Sequence, residues 1–240
     1  MHDVAPLIYA LPALLVAGAA AGFAGGLFGI GGGFVVVPAL MFLLPHLGVS
    51  NEHIAHVAVG TSLASIIVTS LRSTQAHALR GAVDFGLLKS WALWVVLGTG
   101  VGTGLANFVS GNQLALIFGS GVLAFAVYFL SPTRIGAPIF AGLPTGLPRA
   151  GLASALGVFS TLLGIGGGTL TTVTMTVCGA PIHRAIGTAA GMGAVIAVPA
   201  TLGFIVIGLG EAGRGWGALG YVHLPAAAAL IATSVVFAPL

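Results

Sequence analysis

Charge is spread so unevenly along this chain that it decides the solvent before any motif is considered. No Asp, Glu, Lys or Arg falls between Asp3 and Glu52, between Lys89 and Arg134, or between Arg149 and Arg184. A membrane-spanning helix needs about 20 consecutive apolar residues. Each gap therefore has room for more than one full or partial crossing. Only 5% of the 240 residues are charged and 58% are hydrophobic, with a mean hydropathy of +1.14. A soluble domain carries roughly 25% charged residues, so this chain reads as an all-α integral membrane protein. The net charge of +3 comes from seven basic and four acidic residues. It sets membrane orientation and offers no nucleic-acid surface. The single Cys178 excludes an internal disulfide and a cysteine metal cluster. Met1-His2-Asp3 lacks a basic n-region, and the apolar stretch runs far past a short h-region, so no secretory signal is expected.

Proline, glycine and polar punctuation predict helices over 7–28, 33–44, 53–71, 85–108 and 113–130. A proline-rich linker over 132–148 follows, and then helices over 149–163, 169–178, 184–209 and 222–239. Two of these, 33–44 and 169–178, are about half the length needed to span. Each follows a GIGGG, at Gly29–Gly33 and Gly164–Gly168. Two further pairs keep the same order: VGTSLAS at Val59 with IGTAAGM at Ile186, and GAVDF at Gly81 with GYVHL at Gly220. The chain thus divides into a first repeat (1–131), a linker (132–148) and a second repeat (149–240).

Lys and Arg favour cytoplasmic loops. Arg72, Arg80 and Lys89 place the loop after the third helix inside, and Arg134 and Arg149 place the linker inside as well. Tracing back puts the N-terminus outside. The repeats then have opposite topology, as in many secondary transporters. The second repeat lacks a partner for the 113–130 helix, and the expectation is a truncated chain. Trp91 and Trp94, beside Lys89, fit an interfacial belt.

These motifs carry a family resemblance. FGIGGGFVVVPAL, VGTSLAS and RGAVDF in the first half, with LLGIGGGTL, AIGTAAG and LGYVHLPA in the second, resemble the TauE/SafE family over nearly the whole chain. The resemblance implies export of sulfite, organosulfonates or related small anions, from the cytoplasm across a bacterial inner membrane. Nothing in composition or spacing shows sulfur.

Irregular backbone at membrane depth is tolerated only where protein buries it or a wet cavity borders it. A break at each GIGGG starts a half-helix whose N-terminus offers free N–H groups and the positive end of the helix dipole. Glycine lets an anion approach that backbone. Inverted repeats aim two such ends at one midplane point, which makes Gly31, Gly32, Gly33, Gly166, Gly167 and Gly168 candidate substrate-binding residues. One GIGGG alone reads equally well as a packing motif; two at equivalent places read as a site. Thr61, Ser62 and Thr188 have hydroxyls suited to an oxyanion, though such hydroxyls equally bond their own helix carbonyls. Thr169 is a candidate N-cap or ligand. His56 is the candidate for proton coupling, with an interfacial anchor as the plainer reading. His223 and Asp84 sit at equivalent helix starts and read as caps. His46, His53 and His56 with Glu52 do not complete a metal site, and no cofactor is expected.

Enzymatic readings fare poorly. Phe34 and Thr169 stand where a dinucleotide motif needs its last glycine, and no Gly-Lys-Ser/Thr follows. The four carboxylates are scattered. The reading is an inverted-repeat transporter of small anions working by alternating access. An anion channel, a carboxylate carrier and a membrane sensor are the rivals. The partners expected are a small anionic substrate, the lipid bilayer and, as a candidate, a second copy of the chain in a homodimer; no nucleic acid is expected.

Overall fold

The computed structural model describes residues 5–28, 32–130, 140 and 142–238. Nine α-helices follow in order among these residues: α1 Ala5–Phe28, α2 Gly33–Leu43, α3 Ile54–Leu79, α4 Phe85–Phe108, α5 Gly111–Leu130, α6 Gly146–Leu163, α7 Gly168–Val177, α8 Ile182–Ile207 and α9 Leu224–Phe237. A 3₁₀ turn, Leu44–Leu47, ends α2, and a short hairpin pairs Ala218–Leu219 with Val222–His223 before α9. Six helices (α1, α3, α4, α5, α6 and α8) are long and apolar enough to cross a membrane, while α2 and α9 are shorter. The chain is a multi-pass, all-α membrane protein. α3 is the most buried spanning helix and α5 the least, so α3 forms the axis and α5 lies at the periphery. Exposed Leu116, Leu123 and Val127 on α5 suit a lipid-facing surface, since lipid is as apolar as they are.

Small residues fix the helix pairings. A β-carbon added at Gly18, Gly22 or Gly26 of α1 would strike the backbone of Leu230 or Ser234 of α9, or of Ala238 at its end. Both partners advance by four residues together, so α1 and α9 run parallel. On α4, Gly98 meets Ser154 and Gly102 meets Val158 of α6 in the same sense. By contrast, Gly100 and Gly104 of α4 have nothing within 4 Å. Only the glycines of the contact face admit the neighbouring backbone, the small-residue packing expected in a bilayer. α3 and α8 are antiparallel, because Gly60 lies at Phe204 while Ser70 lies at Gly193.

These pairings set directions. Thr61 meets His223 and Thr69 meets Ser234, so α9, and with it α1, runs with α3. Asp84, at the start of α4, meets Thr188 near the start of α8, so α4 and its parallel partner α6 run against α3. α1 and α6 thus enter from opposite ends of α3. Each is followed across its glycine motif by a half-length helix, α2 or α7.

Helix bounds depart from the sequence reading at one place that matters. α3 continues to Leu79, past the predicted stop at residue 71. Arg72 is exposed and donates from Nη1 to Gln75 Oε1 at 3.1 Å, so a charged residue there leaves the apolar face without leaving the helix. The stop comes at Gly81, whose φ is +68°. Trp91 is buried with Leu88, Val95, Leu156 and Met192 rather than standing in an interfacial belt. It faces α6 and α8, where its large apolar ring fills core volume.

Candidate functional site

The two glycine motifs meet. A β-carbon at Gly33 would land on the Gly164 carbonyl oxygen and 2.6 Å from the Ile165 α-carbon. The start of α2 therefore rests directly on the backbone of the turn between α6 and α7. Glycine is required in that turn for a conformational reason: Gly164, Gly166 and Gly167 have φ of +62°, +62° and +76°, a left-handed region that residues bearing a β-carbon seldom occupy. The turn packs along the first half of α3. A β-carbon at Gly164 would lie 3.2 Å from the Val59 α-carbon, and one at Gly166 would lie 2.6 Å from Ile66 Cγ2. Ser62 donates its hydroxyl to the Gly164 carbonyl at 2.9 Å, which satisfies an oxygen that the end of α6 would otherwise leave without a partner. Gly29, Ile30 and Gly31 lie outside the described residues, so the expectation for Gly31 falls there.

Beside this junction is a cavity of about 20 Å³, room for one water molecule. Gly25 of α1 and Gly32 before α2 border it on one side, and Gly166 and Gly168 at the start of α7 on another. α3 contributes Ile66, Thr69, Ser70 and Ser73, and α8 contributes Ala189, Ala190 and Gly193. The cavity thus sits where the starts of both half-helices approach the middle of α3. Of the sequence candidates, Gly32, Gly166 and Gly168 line it. Gly33 and Gly167 adjoin it through the two breaks, and Thr169 is fully buried in the first turn of α7. Sequence reasoning missed Thr69, Ser70 and Ser73.

Thr61 and Thr188 have different partners. The Thr61 hydroxyl accepts from the His223 N–H at 2.9 Å, and the Thr188 hydroxyl accepts from the Asp84 N–H at 2.9 Å. The preceding glycines complete each contact: Gly60 lies against the Tyr221 carbonyl and Gly187 against the Ala82 carbonyl. The Gly-Thr of each half therefore holds the helix start supplied by the other half. These two clasps occupy opposite ends of the α3–α8 pair. Asp84 and His223 cap their helices as read from sequence: Asp84 Oδ1 accepts from Leu87 N–H at 2.9 Å, and His223 Nδ1 accepts from Ala226 N–H at 3.2 Å.

His56 is buried near the start of α3, about 15 Å of helix rise from Ile66. Its Nε2–H donates to the Ala106 carbonyl at 3.0 Å, which leaves Nδ1 as the acceptor nitrogen, buried without a partner. Its ring packs at a tilt against Tyr221, which also packs at a tilt against His53, and His53 lies 3.8 Å from Glu211. His56 therefore belongs to an end cluster and does not border the cavity.

The comparisons bear on this architecture as a whole. A family model described as Sulfite exporter TauE/SafE matches residues 14–240. A "Probable membrane transporter protein" of Haemophilus influenzae is 33% identical over 228 residues, covering 92% of this chain and 83% of that protein. Another so named, MJ0441 of Methanocaldococcus jannaschii, is 29% identical over 189 residues, covering 76% of this chain and 67% of the relative. A third, YunE of Bacillus subtilis, is 39% identical over 110 residues, covering 44% and 39%. No solved structure matches the chain. With the match spanning both glycine breaks and every helix of the junction, the chain belongs to the sulfite exporter TauE/SafE family and is a membrane transporter rather than an enzyme.

Proposed function

We propose that this protein is a secondary transporter that moves small anions, sulfite or organosulfonates among them, by alternating access around the cavity at the glycine junction. The observation that carries the reading is the convergence of two half-helix starts on one cavity level with the middle of α3. Such starts bind anions through free N–H groups and dipole. Halves 1–131 and 149–240 are inverted repeats in this reading. The opposed directions of α1 and α6, and the exchange of Gly-Thr clasps between halves, support it. Rocking one repeat against the other would open one clasp and keep the other closed. The membrane is the bacterial inner membrane, with the N-terminus outside and the 132–148 linker cytoplasmic, in accord with Arg72, Arg80, Arg134 and Arg149.

Counterflow of radiolabelled sulfonate in proteoliposomes tests this. A carrier accelerates exchange with saturation, whereas a channel conducts without it. Ala190→Leu, which adds three carbons to the cavity wall, is expected to cut saturable exchange at least tenfold while the protein elutes as a folded species. Unchanged exchange in that variant sinks the cavity as the substrate site.

Proton coupling is assigned to His56 in the same proposal, as the buried imidazole with a vacant acceptor nitrogen. His56→Gln is expected to abolish accumulation driven by a pH gradient while leaving counterflow within about twofold. Gradient-driven accumulation at the wild-type level in His56→Gln removes it from the coupling path.

A further inference from the structure

Polar side chains in a membrane helix normally spend their hydrogen bonds on their own backbone, and the hydroxyls along α3 mostly do. Ser65 donates to the Ser62 carbonyl at 2.8 Å and Thr69 to the Ser65 carbonyl at 3.0 Å. Ser70 donates to the Ile67 carbonyl at 3.1 Å and Thr74 to the Ser70 carbonyl at 2.6 Å. Thr69 Oγ1 also lies 2.9 Å from Ser234 Oγ. Ser62 donates instead to the Gly164 carbonyl at 2.9 Å, and Ser73 differs from all of these. It is 2% exposed, its Oγ has no hydrogen-bond partner, and it lines the cavity. A buried hydroxyl left unsatisfied costs about 1–3 kcal/mol, a standing penalty that a ligand in the cavity would remove.

The charge around that hydroxyl is equally specific. Among the described residues the cavity lining holds no Lys, Arg, His, Asp or Glu. The positive ends of α2 and α7 are partial charges of about half a unit each, and they stand beside the negative ends of α1, at Gly25, and of α6, at Gly164. With no cationic side chain in the lining, each added negative charge on a ligand costs desolvation that these dipoles do not fully offset, and the cost is steeper for a dianion than for a monoanion.

We propose that Ser73 is the side chain that donates to the substrate's oxygen, and that the site selects singly charged oxyanions over doubly charged ones. This rests on the reading of the cavity as the transport site. It adds a residue and a charge rule to that reading. Thr69 and Ser70 shape the wall, and among the described side chains of the lining Ser73 alone has a hydroxyl hydrogen without a partner. The cavity must widen from its present volume to admit any such anion, which places ligand entry in a more open state.

Methanesulfonate and sulfate provide the test, because they are close in shape and size and differ by one charge. The readouts are saturable counterflow of labelled methanesulfonate in proteoliposomes and binding to the purified protein by competition. Wild type is expected to prefer methanesulfonate at least tenfold over sulfate. Ser73→Ala is expected to weaken methanesulfonate binding about tenfold or more, the scale of a hydrogen bond to a charged group. Ser73→Thr, which keeps the hydroxyl, should restore much of it. Ser120→Ala, on the exposed face of α5, serves as the control. A folded Ser73→Ala protein that binds methanesulfonate like wild type overturns the role of Ser73. Equal affinity for sulfate overturns the charge rule. Absence of saturable exchange of any small anion in wild type defeats the underlying transport reading instead. Should Ser73→Ala not fold, Ser73→Cys in a Cys178→Ser background gives a second test. Methanesulfonate is expected to slow its alkylation, and an unchanged rate overturns the contact.

Discussion

Gly33→Ala is expected to abolish saturable exchange and to lower the melting temperature in detergent, although it adds a single carbon. The added carbon would fall on the Gly164 carbonyl oxygen and 2.6 Å from the Ile165 α-carbon. Both obstacles are backbone, so no side chain can rotate out of the way. The obstructed segment cannot give either. Its φ angles at Gly164, Gly166 and Gly167 are all left-handed, and Ser62 ties its carbonyl to α3. The start of α2 must therefore move, and with it one wall of the cavity. Overpacking of a well-packed interior typically costs about 1–3 kcal/mol. Gly119→Ala on α5 is the matched control: nothing lies within 4 Å of that glycine, and alanine in a helix interior is favoured over glycine by roughly 0.5–1 kcal/mol. The expected pattern is a loss of function at Gly33 and a neutral or slightly stabilising change at Gly119. Wild-type exchange by Gly33→Ala would show that the contact between the motifs is dispensable for transport.

Much of this architecture is written in the chain's punctuation. Asp84 caps α4 and the break at Gly168 starts α7, so residues 85–108 and the half-length of α7 are readable from sequence within a residue or so. Cap and breaker chemistry is local, and local signals survive in one dimension. The end of α3 was not readable in the same way. Arg72 suggested a membrane boundary, yet an arginine on an exposed face interrupts neither the helix nor its hydrogen bonds. A helix ended at residue 71 leaves out Ser73, which lies two residues further along α3. A signal was present: Ile66, Thr69, Ser70 and Ser73 recur at three- and four-residue spacing on one helical face. The Gly-Thr pairs show the converse problem. Their repetition marked them correctly as special, but a hydroxyl's partner is a tertiary fact. Thr61 finds His223 from 162 residues away, and nothing in either segment alone distinguishes a clasp from a ligand. Burial of Trp91 belongs with these, because the sequence gives its distance from Lys89 and not the direction in which its face points.

Thr61→Val and Thr188→Val are expected to differ in both stability and conformation, despite equivalent places in the two halves. Valine keeps the shape of threonine and removes the acceptor. At the first clasp the donor is the N–H of His223, a residue 2% exposed; stranding it costs about 1–3 kcal/mol. At the second, Asp84 is only partly buried, and water can take over its N–H. Thr61→Val should therefore lower the melting temperature more than Thr188→Val. The conformational effect follows from where the clasps lie. Each joins a helix start to the α3–α8 axis at opposite ends, and both are closed here around a cavity with room for one water. Weakening one clasp by 1–3 kcal/mol shifts the balance toward the state in which that end is open by about 5- to 150-fold. A reporter at Ser73→Cys, in a Cys178→Ser background, reads this with a membrane-impermeant thiol reagent added to one face at a time. Thr61→Val should label faster from the face that carries His53, and Thr188→Val faster from the face that carries Arg80. Equal acceleration from both faces in either variant would mean that the clasps stabilise the fold without gating it. An inverted order would mean that the cavity opens by a motion other than rocking of the two halves.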